Sequence, residues 1–303
     1  DLDALKTISS FNSISLLLAL VALIAGMYFD GLRLQRLVKI GGYKLSIKAV
    51  LRVIFSNYFM AMLTPGASGG AVAQVLVLRS YGVPISKGTP IVLIRTVFSI
   101  MFLVIMLPFV FLRDAIEIPY ISRDMLLIFA VVSVIAMLVG TYILQTKYMR
   151  QFVYNLAQRF KAHKTKDWLS KLETLNQGLG LLYKQPIQSF IVFIESGVSL
   201  LCLYCIAPAL MYAFTPDIPI IDILDRMILL NLILYFAPTP GGTGIAEGLF
   251  VVLFSTFVPN GTVGIVAVAW RVMAEYLPFF VGMYAVLTLY GRQFVAQETS
   301  TEQ

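Results

Sequence analysis

The sequence contains one histidine and two cysteines, too few for most metal or redox centres. His163 lies in a polar stretch, whereas Cys202 and Cys205 lie in an apolar run. Their C-x-x-C spacing is that of a redox or zinc motif, but thiols in apolar surroundings behave as small hydrophobic side chains. We therefore expect no metal ion and no cofactor.

Charged side chains are also scarce. They make up 13% of the 303 residues, against 59% hydrophobic residues, which excludes a soluble domain with a solvated surface. The formal net charge of +7 comes from short loops beside apolar runs, so it favours lipid headgroups over nucleic acid as the partner. No G-x-x-x-x-G-K-S/T phosphate loop occurs, so ATP is not expected as an intrinsic energy source.

Long apolar runs predict an all-α, polytopic membrane bundle that forms a single domain over residues 1–303. A membrane span needs roughly 20 mostly apolar residues. Five runs meet this length, at 11–32, 88–112, 125–146, 187–213 and 263–290. The sequence starts at Asp1 with no methionine and no basic stretch before the first run, so we expect an upstream segment to be missing.

Two further apolar segments are interrupted midway. TPGASGG at 64–70 divides residues 53–80, and APTPGGTG at 237–244 divides residues 226–258. Proline lacks a backbone donor and glycine tolerates unusual backbone angles, so a continuous helix is not expected through either segment. Each segment is predicted to fold as a hairpin of two half-helices.

The charges of the loops predict from which side each hairpin enters. Residues 33–52 hold six Lys or Arg and no acid, and residues 147–184 hold eight, so both loops are predicted to be cytoplasmic. Loop 113–124 is acidic, and VPNG at 258–261 has no basic residue. The first hairpin is then re-entrant from the cytoplasm and the second from outside. The expected location is the cytoplasmic (plasma) membrane, with the C-terminus cytoplasmic.

The basic loop 147–184 has a pattern of its own. Phe152, Leu156 and Phe160 recur at a spacing of four among basic residues, which is typical of a helix lying on an anionic membrane surface. A solvated charged loop is an equal alternative.

The two hairpins head similar units. Arg95 follows Thr64 by 31 residues and Arg271 follows Thr239 by 32, each within the next span. The units, at about 53–112 and 226–290, are predicted to be an inverted-topology repeat, an arrangement that places substrate where the hairpin tips meet. Half-helix N-termini there present unpaired N–H groups that suit an anionic headgroup.

The tips supply the candidate binding residues. The hydroxyl groups belong to Ser68, Thr239 and Thr243. The residues that let the backbone approach a ligand closely are Pro65, Gly66, Gly69, Gly70, Pro240, Gly241, Gly242 and Gly244. Close packing of helices is the alternative explanation for these small residues.

Ionisable residues inside spans complete the candidate site, because they are costly in lipid and face protein or water. These residues are Arg95, Glu195, Arg271 and Glu275, joined by Gln74 and Glu247 near the hairpins. Arg271 and Glu275 are four residues apart, so an internal ion pair is one explanation. Arg95 has no acid within a turn, which leaves Glu195, Glu247 or a lipid phosphate as its partner.

Two motifs resemble one family. TPGASGG followed by Gln74, Arg79 and Arg95, with PTPGGTGIAEGLF ending at Phe250, is similar to the flippase-like family named for the transmembrane region of lysylphosphatidylglycerol synthase. In that family, multiple peptide resistance factors join a lipid flippase to a soluble synthase, so the resemblance implies the transport part alone. Family members often have proline where Val72 stands, and others an acid at Gly70.

The leading hypothesis is therefore a membrane lipid transporter of the flippase type, which moves a polar or anionic headgroup lipid between leaflets without chemistry. One alternative is an integral-membrane enzyme that uses Glu195 or Glu247 as acid or base on a lipid-linked substrate. A non-transporting scaffold is the other. Membrane lipids are the expected partners, and self-association into a homo-oligomer is left open.

Overall fold

The computed structural model describes residues 11–113, 123–143, 180 and 185–301. This part of the chain is helical throughout, without a strand. The helices are α1 (Ser13–Ile40), α2 (Ile47–Leu63), α3 (Ser68–Ser80), α4 (Ile85–Leu112), α5 (Arg123–Ile143), α6 (Pro186–Tyr204), α7 (Ile206–Met211), α8 (Ile220–Leu234), α9 (Ile245–Phe254), α10 (Val263–Arg271) and α11 (Leu277–Thr301). A π-helical turn, Val272–Tyr276, joins α10 to α11.

Four helical stretches are long and apolar enough to cross a membrane: Ser13–Ile40, Ile85–Leu112, Pro186–Met211 and Val263–Leu289. They confirm four of the predicted spans. The fifth predicted span forms α5, whose apolar part is Asp124–Met137. Large apolar side chains point away from the core along the spans, as Leu17 and Ile24 do on α1, where each is 60% exposed. Lipid tails solvate such a surface.

The first span differs from its prediction in where it ends. Helix α1 continues to Ile40, so Arg33 and Arg36 lie in the helix and not in a loop. Arg33 is 5% exposed. The basic loop on this side therefore begins later than residue 33. Of the other loop predictions, residues 147–184 with their surface helix lie outside the described residues, apart from position 180, as does most of loop 113–124.

Both interrupted segments are broken helices, as predicted. Helices α2 and α3 pack together and are separated by residues 64–67; helices α8 and α9 pack together and are separated by residues 235–244. The breaks contain left-handed backbone at Gly66 (φ 61°) and Gly241 (φ 58°), a conformation that glycine adopts without strain. We call these breaks tip 1 (64–67) and tip 2 (235–244).

The two hairpins pack in a reciprocal way. The second arm of each lies against the helix that follows it, α3 on α4 and α9 on α10. The first arm of each lies against the long span of the other half, α2 on α11 and α8 on α4. The helices that precede the hairpins, α1 and α6, pack on each other. Each hairpin arm thus has the same kind of neighbours in both halves.

Glycines permit the closest of these contacts. Ser199 Oγ on α6 donates a hydrogen bond to the carbonyl of Gly26 on α1 (2.8 Å). A Cβ at Gly282 of α11 would lie 2.1 Å from the backbone oxygen of Phe55 on α2. Neither contact leaves room for a larger residue without a shift of the helices.

The predicted C-x-x-C pair forms no disulfide. Cys202 and Cys205 are free and half-buried, and Cys205 marks the junction of α6 with α7.

Candidate functional site

The two hairpin tips are in contact with each other. Pro65 and Pro240 form an isolated antiparallel bridge between them. Met62, in the last turn of α2, lies so close to Gly241 that a Cβ there would be 3.3 Å from its Cα. The residues that the sequence picked out as the two tips are therefore neighbours in space.

The polar groups of the tips form short-range contacts in a matched pattern. Ser68 Oγ donates to the Pro65 carbonyl (3.1 Å), and Thr243 Oγ1 donates to the Pro240 carbonyl (2.8 Å). Thr64 Oγ1 accepts a hydrogen bond from the Gly69 N–H (2.8 Å) and donates to the Met60 carbonyl (2.8 Å). Thr64 therefore caps α3.

The corresponding residue in tip 2 behaves differently. Thr239 Oγ1 is buried and has no hydrogen-bond partner among the described residues. Helix α9 is capped instead by Glu247, whose carboxylate accepts from the Gly244 N–H (2.7 Å). The Thr239 hydroxyl is thus available for another group.

Small residues next to tip 1 fill tight space. A Cβ at Gly69 would lie 2.6 Å from Thr64, and one at Gly70 would lie 2.5 Å from Asn57 Oδ1. Gln74 follows on the same helix, is 1% exposed, and its Oε1 has no hydrogen-bond partner within the described part of the chain. Gln74 is a second buried polar group with unused capacity.

Arg95 takes part in a buried ionic cluster with α1. Its Nε and Nη2 both donate to the Asp30 carboxylate, the former at 3.1 Å. Arg33 also donates to Asp30 through Nε and to Ser99 Oγ through Nη1 (2.8 Å). Asp30, Arg33 and Arg95 are 2%, 5% and 7% exposed. Two guanidinium groups share one carboxylate, so the cluster of Asp30 and this arginine pair carries a formal charge of +1.

Electrostatic interactions link three tyrosines to the arginine pair. Tyr58 of α2 interacts electrostatically with Asp30, Arg33 and Arg95. Tyr204, at the end of α6, interacts with Arg33, and Tyr235, at the start of tip 2, with both arginines. The Tyr204 hydroxyl is buried without a hydrogen-bond partner among the described residues. Both halves of the chain therefore contribute to this polar interior.

Arg271 is held by its own half of the molecule. Its Nε donates to Glu247 (2.8 Å), its Nη2 to the Gly241 carbonyl (2.8 Å), and its Nη1 lies 2.8 Å from Glu275. The i,i+4 pair with Glu275 is the internal ion pair considered from the sequence. Because Arg271 is 1% exposed and joins tip 2 to the helix behind it, it fixes the shape of that tip.

Glu195 lies apart from Arg95. It accepts a bidentate hydrogen bond from Arg36 of α1, the shortest at 2.7 Å, and Arg36 also donates to Gln188 (3.0 Å). The partner of Arg95 is Asp30, and not Glu195 or Glu247 as the sequence suggested.

The sequence did contain a sign of Asp30 and Arg33. Asp30 lies near the end of the predicted span 11–32, and Arg33 is the first residue of the predicted basic loop 33–52, whereas helix α1 contains both. An acid three residues before an arginine at the end of a span indicates a charged pair on one helical face. No group of three possible metal ligands occurs among the residues described.

The comparisons with known proteins agree with this architecture. A family model described as "Lysylphosphatidylglycerol synthase TM region" matches residues 3–282. A curated relative, a UPF0104 membrane protein of Archaeoglobus fulgidus, is 23% identical over 294 residues, which cover 93% of this chain and 88% of the relative. The chain is a membrane protein that belongs to the family of the lysylphosphatidylglycerol synthase transmembrane region.

Proposed function

We propose that this protein is a lipid transporter of the flippase type, which moves a lipid with a polar or anionic headgroup between leaflets. The observation that carries the proposal is the meeting of the two hairpin tips, Pro65 against Pro240, in a molecule whose two halves both contain buried arginines. A headgroup passing between the tips would leave its acyl tails in the surrounding bilayer.

The lengths of the hairpin arms support re-entrant hairpins. The arms α2, α3, α8 and α9 contain 17, 13, 15 and 10 residues. At about 1.5 Å per residue they extend roughly 15 to 25 Å, less than the roughly 30 Å of a hydrocarbon core. Arms of this length bring their tips into the membrane without crossing it.

The reciprocal packing supports an inverted repeat. A pseudo-two-fold axis that relates the two hairpins would pass between the paired residues Pro65 and Pro240. The same axis would relate the packing of α2 against α11 to the packing of α8 against α4. Transporters with such repeats alternate the exposure of a central site by rocking one unit against the other. The basic loops then face the cytoplasm of a plasma-membrane protein, and the hairpins enter from opposite sides.

The buried ionic groups support transport over chemistry. Ionised side chains in a membrane core are costly and mark the pathway of a polar substrate. Here the carboxylates that a membrane enzyme would use are occupied: Glu195 by Arg36, and Glu247 by Arg271 and its own helix end. We therefore expect lipid movement without a covalent step.

A reversible cross-link between the tips tests the proposal. Residues paired across an antiparallel bridge have Cα atoms about 4.5 to 5.5 Å apart, within the range of a disulfide. The variant carries Pro65→Cys and Pro240→Cys, with Cys202 and Cys205 replaced by alanine. Proteoliposomes containing fluorescent lipids with anionic, zwitterionic or neutral headgroups report movement between leaflets. Movement should stop on oxidation and return on reduction.

The two single-cysteine variants, oxidised in the same way, are the matched controls and should continue to move lipid. Equal movement in the oxidised and reduced double variant would show that the headgroup does not pass between the tips. Absence of movement for every lipid, in the unmodified protein as well, would overturn the transporter proposal.

A further inference from the structure

An arginine joins the two arms of the first hairpin at the end away from its tip. Arg52 lies in the second turn of α2, and its Nη1 donates a hydrogen bond to the hydroxyl group of Tyr81 (2.6 Å). Tyr81 is the residue on which α3 ends. The bond therefore connects the beginning of the first arm to the end of the second arm.

The second hairpin has an arginine in the same place. Arg226 lies in the second turn of α8, and its Nη1 donates to the carbonyl group of Leu253 (2.6 Å), next to the last residue of α9. The Cζ atom of Arg226 also lies 4.4 Å from the centre of the Phe257 ring. A cation at this end of a helix binds a carbonyl group that has no partner within the helix, and it complements the helix dipole.

The two contacts correspond in the repeat. Counted from the threonine that precedes the tip proline, Arg52 lies 12 residues before and Tyr81 lies 17 residues after. In the second half, Arg226 lies 13 residues before and Thr256 lies 17 residues after, and the two are 3.5 Å apart between Nη1 and Oγ1. The halves thus make the same contact with different acceptor groups, which a common role in holding the arms together explains.

The arms of each hairpin are also close together at the tip end. A Cβ at Gly70 of α3 would lie 3.1 Å from the Cβ of Ala61 on α2. A Cβ at Gly242, in tip 2, would lie 3.1 Å from Leu234 Cδ2 in the last turn of α8. With the arginine contacts at the base, each hairpin is therefore held at both of its ends.

We infer that Arg52 and Arg226 are positioning residues, which clasp the base of each hairpin so that its two arms move as one unit. The inference rests on the proposed function and adds to it the part of the molecule that stays rigid. When one half rocks against the other, the hairpins do not open. The contacts that change are those between units, including the contact of Pro65 with Pro240.

A distance within the first hairpin tests the clasp without reference to transport. Spin labels are attached to Lys48→Cys on α2 and Leu76→Cys on α3, both exposed positions, in a protein with alanine in place of Cys202 and Cys205. Pulsed electron paramagnetic resonance of this protein in lipid nanodiscs measures the distance between the arms. A clasped hairpin should give one narrow distance distribution, and a broad distribution would overturn the inference.

Three substitutions in the labelled protein examine the role of the arginine. Tyr81→Phe removes only the acceptor hydroxyl group, and Arg52→Gln removes the donor. Each should broaden the distribution or shift its mean to a longer distance. Arg79→Gln, at an exposed position near the end of the same arm, is the matched control and should leave the distribution unchanged. An unchanged distribution in both clasp variants would show that Arg52 does not hold the arms.

A covalent clasp tests whether the hairpin moves as one unit. Arg52→Cys and Tyr81→Cys are combined, again with alanine at 202 and 205, and are joined by a bismaleimide in place of the two long side chains. The unlinked double variant should move fluorescent lipid more slowly than the unchanged protein, and the cross-link should restore the rate. Arrest by the cross-link would mean that the arms separate during transport, and would overturn the inference. Absence of lipid movement in the unchanged protein would contradict the proposed function instead, while the distance measurement would still decide on the clasp.

Discussion

Thr64 and Thr239 occupy matching positions in the two tips, but their hydroxyl groups have different surroundings. Thr64 caps α3, whereas Thr239 is buried without a partner in the described part of the chain. A cap that is lost leaves an unpaired helix N–H group, while replacement of an unpartnered buried hydroxyl by a methyl group is close to neutral. The same substitution should therefore have opposite consequences in the two halves.

We predict that Thr64→Val lowers the free energy of unfolding by about 1 kcal/mol, and that Thr239→Val leaves it unchanged or slightly raises it. The stability of both valine variants is measured by thermal unfolding in detergent, with size-exclusion chromatography as the readout of folded protein. Thr64→Ser retains the capping oxygen and should unfold like the unchanged protein. Equal losses for the two valine variants would contradict the distinction drawn between the tips.

Arg271 and Arg95 also occupy matching positions, and their partners set their roles apart. Arg271 forms ion pairs with two carboxylates and donates to a carbonyl group of tip 2, although its buried Nη1 has no hydrogen-bond partner among the described residues. We predict that Arg271→Gln lowers the free energy of unfolding by about 2 kcal/mol, because its removal leaves the partly buried carboxylates of Glu247 and Glu275 without their partner. Arg79→Gln, at an exposed position of α3, is the control and should change it by less than about 0.5 kcal/mol.

The yield of folded protein and its midpoint of thermal unfolding check the Arg271 prediction. A stable Arg271→Gln variant with impaired lipid movement would show instead that Arg271 contacts the substrate, as the sequence suggested.

At the level of elements, apolar length and Pro-Gly clusters were enough to predict four of the five proposed spans and both helix breaks. Both signals depend only on residues that are neighbours in the sequence, and the breaks at residues 64–67 and 235–244 could therefore be predicted from it. The partner of Arg95 was not predictable in the same way. Asp30 is 65 residues away in sequence, and only the packing of α1 on α4 brings the two together.

Contacts between helices in this membrane bundle depend on small residues. Among the described glycines, Gly282 makes the closest such contact, between α11 and α2. Gly282→Ala would place a methyl group 2.1 Å from the Phe55 carbonyl oxygen, a backbone atom that cannot rotate away. We predict a loss of about 2 kcal/mol or more in the free energy of unfolding, as overpacking generally costs 1 to 3 kcal/mol.

Gly264→Ala serves as the matched control, since nothing lies within 4 Å of the Cβ it would add on α10. It should raise the free energy of unfolding by about 0.5 to 1 kcal/mol through the better helix propensity of alanine. Thermal unfolding of the two variants side by side measures the difference. A Gly282→Ala variant as stable as the control would mean that α2 and α11 are not packed as described.

At the level of the whole molecule, the proposed inverted repeat makes a prediction about the two faces of the membrane. In the proposed topology, three crossings, α4, α5 and the α6–α7 stretch, separate the base of the first hairpin from the base of the second. An odd number of crossings puts the two bases on opposite faces of the membrane. If α5 did not cross, the bases would share one face and the halves could not be inverted repeats.

We therefore predict that cysteines introduced at Lys44 and at Asn260, both exposed and beside the hairpin bases, react with a membrane-impermeant reagent from opposite faces. Lys44→Cys should be protected in intact cells and labelled in inside-out vesicles, because the basic residues around it favour the cytoplasm. Asn260→Cys should show the reverse. Both variants carry alanine at positions 202 and 205, and the parent without cysteine is the control. Labelling of both positions from one face would contradict the inverted repeat and, with it, a transport path that runs between the tips.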